Sequence, residues 1–377
     1  MIVVTVNSGS TSVKLAAYVS ENAGAWSRIA QEPHAGSAAQ PVTVLQEFVG
    51  KLEGCVGAVA HRVVHGGTRF RGPALLDAQA MKAIDQLSEL APLHNPKALH
   101  WIEAARQVVG EQVPQVAAFD TSFFCDMPAV AGEYALAPRF GVDQAVRRYG
   151  FHGLAHEALW RRWCELHPEL RRGGKLITLQ LGGGCSAAAI AGGQPLDTTM
   201  GFSPLEGLVM ATRSGDVDPA VVPYLQHRLS RTAEEIIELF NRESGLSGVA
   251  GGETDLGTLA ADPSPRSQFA LDLYCYRIRK CLGAFFAVLG GCDGIVFGGG
   301  VGEHVPAVRS RVLSGMAWAG VRIAEEANQA ARGQDASIDA PESSVRVHVL
   351  AVDEEGVLVR AVRTILDGHA ACHSERT

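Results

Sequence analysis

The alternation of apolar and polar residues predicts two similar β-hairpins, about half a chain apart. Residues 2–6 form a β-branched run, a Ser/Gly turn follows at 7–12, and residues 13–18 alternate between apolar and polar. A similar unit returns at 176–190, where three consecutive glycines form the turn. Such patterns are typical of strand–turn–strand units. The two hairpins are either unrelated or two copies of one folding unit, and the pattern alone leaves both interpretations open.

Helical and strand-like segments alternate along the rest of the chain. Apolar residues recur at helical spacing in four segments, residues 77–90, 95–109, 231–240 and 269–289. Short apolar runs typical of buried strands lie at residues 116–119, 294–297 and 345–352. Residues 262–268 are predicted to form a loop, and a glycine turn at 298–302 is followed by a predicted helix from Glu303. Alternating strands and helices predict an α/β protein.

Length, charge and cysteine usage narrow the class of protein. The 377 residues are too many for one ordinary core and favour two domains. The net charge of −7, without a long basic run, argues against nucleic acid or an anionic membrane surface as the main partner. The eight cysteines form no C-x-x-C pair, and no secretory signal is recognisable. Free thiols in a reducing cytoplasm are therefore predicted.

The first glycine turn is a candidate anion site. The chain has no G-x-x-x-x-G-K-[ST] motif, so a P-loop is excluded. The backbone N–H groups and hydroxyls of residues 8–12, with Asn7 and Lys14 beside them, can instead surround an anion. A plain hairpin turn uses the same residue types and is the alternative.

Two arginines lie in unusual sequence contexts. Arg62 interrupts an apolar run that ends at a glycine pair, and Arg213 lies in a polar, loop-like segment. A buried arginine needs a carboxylate or a bound anion, so a structural ion pair is the alternative for Arg62. Two guanidinium groups suit a phosphoryl group, because each can donate two aligned hydrogen bonds.

Two carboxylates follow predicted strands. Asp120 follows the run at 116–119, and Glu354 follows the run at 345–352. The carboxyl end of a strand is where open α/β sheets place ligand-binding groups. Two carboxylates without soft ligands point to Mg²⁺. His152, which lies in a Gly-Phe-His-Gly segment, has either a structural or a catalytic role.

Taken in order, these segments resemble the motifs of the acetate kinase family, within the sugar kinase/Hsp70/actin superfamily. The matching segments are residues 6–14, 61–67, 93–96, 119–121, 149–153, 200–219, 300–303 and 353–355. The resemblance implies an α/β, two-domain actin-like ATPase fold, built from duplicated ribonuclease H-like domains, with the active site in the interdomain cleft. It implies an N-terminal domain of residues 1–121 plus 356–377 and a C-terminal nucleotide-binding domain of residues 122–355.

The resemblance also implies that the protein is an enzyme, a phosphotransferase with a carboxyl group as acceptor. Acetate and ATP would be converted reversibly to acetyl phosphate and ADP by direct in-line transfer, with Mg²⁺ or, alternatively, Mn²⁺. The implied catalytic residues are Asn7, Arg62, Asp120, His152 and Arg213. The implied substrate pocket comprises Arg62, Val64, Leu93, Phe151 and Pro204. Phosphate support is assigned to Ser10, Ser12, Lys14 and His94, and metal binding to Asn7, Asp120 and Glu354. The family further implies a homodimer.

The nucleotide end departs from the family pattern. The residues implied there are Lys14, Gln180, Gly182, Gly183, Gly184, Asp255, Gly300, Gly302, Glu303 and His304. The family has His-Leu-Gly-Asn-Gly where this chain has Gln-Leu-Gly-Gly-Gly, so a side-chain donor is missing at Gly183. The family's Asp-x-Arg ends here at Gly257, and an asparagine is replaced by His304. The phosphoryl donor is therefore open between ATP, another nucleoside triphosphate and pyrophosphate.

Alternative functions remain at this point. A propionate kinase would keep the class and change the acceptor, whereas the narrow apolar pocket argues against butyrate. A nucleotide-gated binding protein on the same fold would not transfer a phosphoryl group. A sugar kinase would need several polar side chains around the acceptor, and the implied pocket offers few. The sequence leaves open the physiological direction, the donor, the acetate or propionate preference and the oligomeric state.

Overall fold

The computed structural model describes residues 1–9, 12–21, 26–35, 40–137, 139 and 146–374. Contacts divide the chain into two compact units. Unit 1 contains Met1–Cys125, His152–Ala158 and Asp353–Thr377, and unit 2 contains Asp126–Phe151 and Leu159–Val352. The predicted domain boundaries after residues 121 and 355 stay predictions.

Two lists give the bounds of the elements in the described residues. The strands are β1 (Ile2–Ser8), β2 (Ser12–Ser20), β3 (Trp26–Ala35), β4 (Val56–Val63), β5 (Ala74–Leu75), β6 (Gln115–Phe119), β7 (Lys175–Leu181), β8 (Cys185–Ala191), β9 (Gln194–Thr198), β10 (Gly294–Gly298), β11 (Ala336–Ser337) and β12 (Arg346–Val349). The α-helices are α1 (Pro41–Gly50), α2 (Ala78–Gln86), α3 (Asn95–Val109), α4 (Ala129–Gly132), α5 (Gly153–Leu166), α6 (Val221–Leu229), α7 (Ala233–Arg242), α8 (Gly245–Ala250), α9 (Leu256–Ala261), α10 (Pro265–Leu289), α11 (Gly299–His304), α12 (Pro306–Leu313), α13 (Glu325–Ala330) and α14 (Glu354–Ser374). None of these described helices is long and apolar enough to cross a membrane.

Each unit contains one six-stranded sheet, and the two sheets repeat one pattern. Their strand orders are β3-β2-β1-β4-β6-β5 and, read from the equivalent edge, β9-β8-β7-β10-β12-β11. In both sheets the first three strands are antiparallel neighbours, the next two run parallel to the third, and a short antiparallel strand closes the edge. The two predicted hairpins, β1–β2 and β7–β8, are therefore equivalent parts of one repeated folding unit. This result confirms the α/β class and the predicted duplication.

The core of unit 1 explains why the ends of its parallel strands are well positioned. Val4 and Val6 of β1 belong to an apolar cluster with Phe48 of α1 and Trp101 of α3. Successive side chains of a strand point to opposite faces, so Val4 and Val6 lie on the same face of the sheet. Helix α14 also packs against β1, β4 and β6. Helices α3 and α14 thus hold the central strands of the sheet in place.

Two predicted segments differ in the structure. Helix α10 begins at Pro265, inside the predicted 262–268 loop, because the Ser264 side chain caps it by accepting from the Ser267 amide and Pro265 suits the first helical position. The helix predicted from Glu303 is divided, since α11 starts earlier at Gly299 and α12 starts at Pro306. Proline lacks the N–H that a continuous helix requires. The predicted helix at 95–109 is confirmed as α3.

Candidate active site

Three adjacent parallel strands of unit 1 end at one polar cluster. Asn7 lies near the end of β1, Arg62 lies near the end of β4, and Asp120 directly follows β6. The first residue of α14, Glu354, joins them through hydrogen bonds to Asn7 and Arg62. The carboxyl ends of parallel strands are the usual ligand-binding edge of such sheets. Residues that are far apart in sequence therefore meet where a ligand is expected.

Arg62 is the centre of this cluster. Its Nε and Nη2 donate to the two carboxylate oxygens of Asp120 at 3.0 and 2.7 Å, which is a bidentate pair. Its Nη1 donates to the Asn7 amide oxygen at 3.2 Å and to Glu354 Oε2 at 3.3 Å. These contacts account for four of the five N–H groups of a guanidinium. Within the described residues, one N–H on Nη2 stays available to a ligand.

Asn7 connects the cluster to the carboxylate of Glu355, a residue to which the sequence assigned no role. Its amide nitrogen donates to Glu354 Oε2 at 2.7 Å and to Glu355 Oε1 at 3.0 Å. Lys14 Nζ lies 3.8 Å from the same Glu355 oxygen. Glu355 is buried, so its two partners compensate its charge. The acidic run at residues 353–355 indicated that carboxylates lie here, but it did not show which carboxylate would contact which partner.

The electrostatics of the cluster favour a charged arginine and a bound cation. Burial opposes the charge on Arg62, but the carboxylates of Asp120 and Glu354 raise its pKa above the ordinary value. Burial raises the pKa of Asp120, and the Arg62 guanidinium opposes that rise. The three carboxylates, including Glu355, outnumber the cations Arg62 and Lys14 by one negative charge. A cation bound near this edge would balance that excess.

The backbone of the segment that contains His152 contacts Asp120. The His152 N–H hydrogen-bonds the Asp120 carboxylate. His152 has a φ of 57°, in the left-handed region that non-glycine residues rarely adopt. A side chain at Gly153 would overlap the Asp120 carbonyl oxygen. This strained, close approach is of the kind that occurs at functional sites.

Two buried residues hold the loop that follows Arg62. The Asn95 side chain accepts from the His65 N–H at 3.1 Å and donates to the His65 carbonyl at 3.0 Å. The Thr121 hydroxyl accepts from the Gly66 N–H at 2.9 Å. Sequence reasoning included Asn95 and Thr121 in matched segments but assigned them no role. Their part is to join the β4 loop to the start of α3 and to the residues after β6.

The predicted phosphate-support residues lie around the β1–β2 turn and the start of α3. Ser10 falls outside the described residues. Ser12 is the first residue of β2, and Lys14 is half-exposed further along that strand. His94 is the residue that precedes α3. Burial lowers the pKa of His65 to about 4, with His94 as a further cause, so the two imidazoles are neighbours.

The predicted acyl-pocket residues are divided between the two units. In unit 1, Val64 is buried after β4, whereas Leu93 is 54% exposed before α3. In unit 2, Phe151 is buried and Pro204 is half-buried. Their common role as a pocket stays a prediction.

Arg213 of unit 2 is a second candidate phosphoryl ligand. It is half-buried, and its Nη1 donates to the Pro204 carbonyl at 3.2 Å. Burial lowers the pKa of its guanidinium. In the part of the chain that the structure describes, no carboxylate lies within 4.0 Å of Arg213 to form an ion pair. A partly desolvated guanidinium of this kind can bind an anion.

A network of polar side chains supports the segment that contains Pro204 and Arg213. Arg148 Nη2 lies 2.6 Å from Glu206 Oε1, and Arg148 Nη1 donates to the Thr199 carbonyl at 3.1 Å. The Tyr134 hydroxyl donates to Glu206 and accepts from the Phe202 N–H at 2.8 Å. The segment therefore has a defined conformation without regular secondary structure.

The predicted nucleotide residues gather mainly at the ends of β7 and β10. Gln180 of β7 pairs with Gly298 of β10, and the triple-glycine turn follows directly. Gly299 has a φ of 76°, and a side chain there would lie 2.5 Å from the Leu181 carbonyl oxygen. This close approach brings α11 to the end of β7. The predicted residues gathered here are Gln180, Gly182, Gly183, Gly184, Gly300, Gly302, Glu303 and His304.

Other contacts relate this glycine-rich region to its surroundings. The Ala211 N–H donates to the Gly183 carbonyl at 3.1 Å, which links the turn to the segment of Arg213. Glu303 Oε1 accepts from the N–H groups of Gly299 and Val352 at 3.0 and 3.2 Å. Asp255 lies elsewhere, where it caps α9 by accepting from the Thr258 N–H at 2.7 Å. Its predicted contact with a nucleotide stays a prediction.

Comparison with known proteins identifies the family of this chain. The model of the acetokinase family matches residues 12–360. An acetate kinase from Solibacter usitatus is 41% identical over 316 residues, which cover 82% of this chain and 76% of that protein.

Solved structures match over nearly the whole length. The crystal structure of Porphyromonas gingivalis acetate kinase has a TM-score of 0.84 and 32% identity, and the match covers 97% of this chain and 99% of that one. A Francisella tularensis propionate kinase has a TM-score of 0.84 and 29% identity, with coverages of 96% and 98%. These matches confirm the predicted two-domain actin-like fold. With a family match over most of its residues and a relative at 41% identity, the chain belongs to the acetokinase family.

Proposed function

We propose that the protein is an acetate kinase that transfers a phosphoryl group reversibly between ATP and acetate, giving acetyl phosphate and ADP. The observation that carries the proposal is the cluster of Asn7, Arg62, Asp120 and Glu354, assembled from three strand ends and one helix start. The 41% identical relative from Solibacter usitatus is named an acetate kinase. A protein that only bound a nucleotide would not need this set of charged residues.

The proposed mechanism depends on positioning and charge. Arg62 would donate its remaining N–H to an equatorial oxygen of the phosphoryl group, and Asp120 would keep the guanidinium oriented. Arg213 would supply a second guanidinium. Acetate is already ionised at neutral pH, so His152 would stabilise charge rather than move a proton. In-line transfer from one oxygen to another then requires no covalent intermediate.

The same cluster supports the proposed use of Mg²⁺, with Mn²⁺ as an alternative. Both Asp120 oxygens accept from Arg62, and Asp120 is 1% exposed, so this carboxylate supports the site rather than offering a free oxygen. Glu354 is 13% exposed and receives its hydrogen bonds on Oε2. Within the described residues its Oε1 has no hydrogen bond and would bind the metal, together with phosphate oxygens of the substrate. Asn7 would orient Glu354. The ion would neutralise charge on the transferred phosphate.

Acetate is favoured over propionate as the acceptor. The Francisella tularensis propionate kinase has the same TM-score as the acetate kinase from Porphyromonas gingivalis, so the fold does not separate the two substrates. The relative from Solibacter usitatus, which is 41% identical, is named an acetate kinase. The apolar acyl pocket that the family resemblance implies would distinguish one methylene by about 1–3 kcal/mol. Propionate is therefore expected to react more slowly than acetate, and butyrate to react poorly.

A hydroxamate assay with acetate, ATP and Mg²⁺ tests the proposed function. We expect product formation that requires all three components and stops when EDTA is added. Parallel reactions with propionate, with GTP and with pyrophosphate determine the acceptor and the donor. ATP binding without hydroxamate would support the nucleotide-gated binding protein instead. Faster turnover of propionate than of acetate would contradict the acetate assignment.

The variant Gly183→Asn tests whether the altered nucleotide turn weakens ATP binding. A Cβ atom at Gly183 would meet no other atom within 4 Å, so the position has open space for a side chain. It would restore the donor that the family has at this position. One added hydrogen bond should lower the KM for ATP about twofold to tenfold. Gly72→Asn, which also meets nothing within 4 Å, is the control and should leave this KM unchanged. An unchanged KM in Gly183→Asn would show that this glycine does not limit ATP binding.

We further propose that the protein forms a homodimer through unit 2. Helix α6 contains no buried residue, although Val221, Val222 and Leu225 belong to it. Tyr224 of α6 is 61% exposed, and Phe269 of α10 is equally exposed. Exposed apolar side chains on helices support an interaction surface for a second copy. Sedimentation equilibrium should give twice the chain mass of 39.9 kDa, and a monomer at micromolar concentration would contradict the proposal.

A cytoplasmic location is the remaining proposal. The seven cysteines that the structure describes form no disulfide with one another. Free thiols are usual where glutathione and thioredoxin keep proteins reduced. Fractionation of cells that produce the protein should recover it with cytoplasmic markers, and recovery with membranes or in the medium would contradict this location.

A further inference from the structure

Lys97 lies beside the β1–β2 turn in a position that its sequence context did not indicate. It is the third residue of α3, which begins at Asn95. Its Nζ donates to the Gly9 carbonyl at 2.8 Å. Gly9 lies in the turn and donates its own N–H to the Ser12 carbonyl at 2.8 Å. A side chain 88 positions away in sequence thus reaches the turn that was predicted to surround an anion.

This position is unfavourable for a lysine in several respects. Lys97 lies in the first turn of α3, where the helix dipole disfavours a positive charge. It is half-buried, and burial lowers the pKa of its ammonium group. Among the described residues, no carboxylate lies within 4.0 Å of its nitrogen to form an ion pair. The single contact with a carbonyl leaves two of the three ammonium N–H groups without a protein partner among the residues that the structure describes.

The other lysine near this turn is already compensated. Lys14 Nζ lies 3.8 Å from Glu355, which Asn7 also contacts. Lys97 is therefore the ammonium near the turn whose charge the described residues leave unbalanced. An anion at the turn would balance it, and would also offset the unfavourable helix position. Phosphate oxygens suit this role, because an ammonium group binds phosphate as a point charge.

We propose that Lys97 binds an oxygen of the phosphoryl group in the bound substrate, and so contributes to the affinity for acetyl phosphate and ATP. The inference rests on the proposed function, because it takes its anion from that reaction. Lys97 would contact the phosphate directly, while its bond to the Gly9 carbonyl keeps the ammonium at the turn. A structural lysine would act only through the conformation of the turn and would not distinguish phosphate substrates from acetate.

The variants Lys97→Met and Lys97→Arg separate these two roles. Lys97→Met keeps the length of the side chain and removes its charge. It is expected to raise the KM for acetyl phosphate and for ATP by about tenfold to a hundredfold, the effect of one lost hydrogen bond to a charged group. The KM for acetate should change less than twofold. Lys97→Arg should recover most of the affinity for phosphate substrates, because it keeps a cation at the turn. Lys82→Met, on the exposed side of α2, is the matched control and should behave like the wild type.

Calorimetric titration with acetyl phosphate makes the test independent of turnover. Weaker binding by Lys97→Met, with recovery in Lys97→Arg, supports the proposal even if the wild type proves inactive with acetate, a result that would overturn only the proposed function. Equal binding by Lys97→Met and by an active wild type contradicts the role of Lys97 and leaves the proposed function intact. A lower kcat with unchanged binding, or equal loss in both variants, would show that Lys97 acts through the turn, and the proposal would be wrong.

Discussion

Arg62→Ala is expected to lower kcat for acetate phosphorylation by about two to three orders of magnitude, which is typical for the loss of one preorganised donor. The guanidinium is held by Asp120, Asn7 and Glu354, so its remaining N–H points in a fixed direction. Lys14 is not placed to replace it, because its ammonium lies next to Glu355. Steady-state kinetics with saturating acetate and ATP measure the effect.

Removal of Arg62 also leaves Asp120 buried without its bidentate partner, and such a loss commonly costs about 3–5 kcal/mol of stability. The double variant Arg62→Ala/Asp120→Asn removes that unpaired charge and should regain stability without regaining activity. Arg69→Ala removes an exposed arginine from the same region and should leave kcat unchanged. If the double variant recovered wild-type kcat, Arg62 would be a structural residue and not a phosphoryl ligand.

Gly153→Ala is expected to have the second largest effect, although it adds a single methyl group. That methyl group would overlap the Asp120 carbonyl oxygen, and the Phe123 side chain is 2.9 Å away on the same side. Either α5 or the residues after β6 must move, which should lower the free energy of unfolding by about 1–3 kcal/mol. Because Asp120 orients Arg62, the displacement should lower kcat by about a hundredfold, as a 1 Å misplacement can.

Urea denaturation and kinetics check both parts of this expectation. Gly50→Ala is the control within unit 1, since a side chain there meets nothing within 4 Å. Gly50 is the last residue of α1, so this variant should leave the free energy of unfolding unchanged or raise it by up to about 1 kcal/mol. Alanine usually improves a helix over glycine by about 0.5–1 kcal/mol. A gain of that kind in Gly153→Ala, with normal kcat, would contradict the close contact between α5 and Asp120.

Local patterns predicted those elements whose signals are contained in a few consecutive residues. Helix α3 was predicted with its observed bounds, because its apolar residues recur at helical spacing. The start of α10 at Pro265 was missed, because a Ser-Pro cap and a polar loop contain the same residues until the Ser264 side chain is seen to bond the backbone. The two hairpins were predicted from their patterns, the family resemblance implied that they are copies of one unit, and the sheet order confirmed it.

The sequence by itself determined the α/β class, the residue types of the site and, through its motifs, the family resemblance. Only the tertiary structure decided which of these residues meet. Arg62, for example, could have been part of an ion pair or an anion ligand. Within the described residues, its contacts with Asp120, Asn7 and Glu354 leave one of its five donors available. Glu355 and Lys97 acquired roles only from contacts with Asn7 and Gly9. The physical reason is that periodicity reports which face of an element is buried, whereas a site depends on side-chain contacts between elements that are distant in sequence.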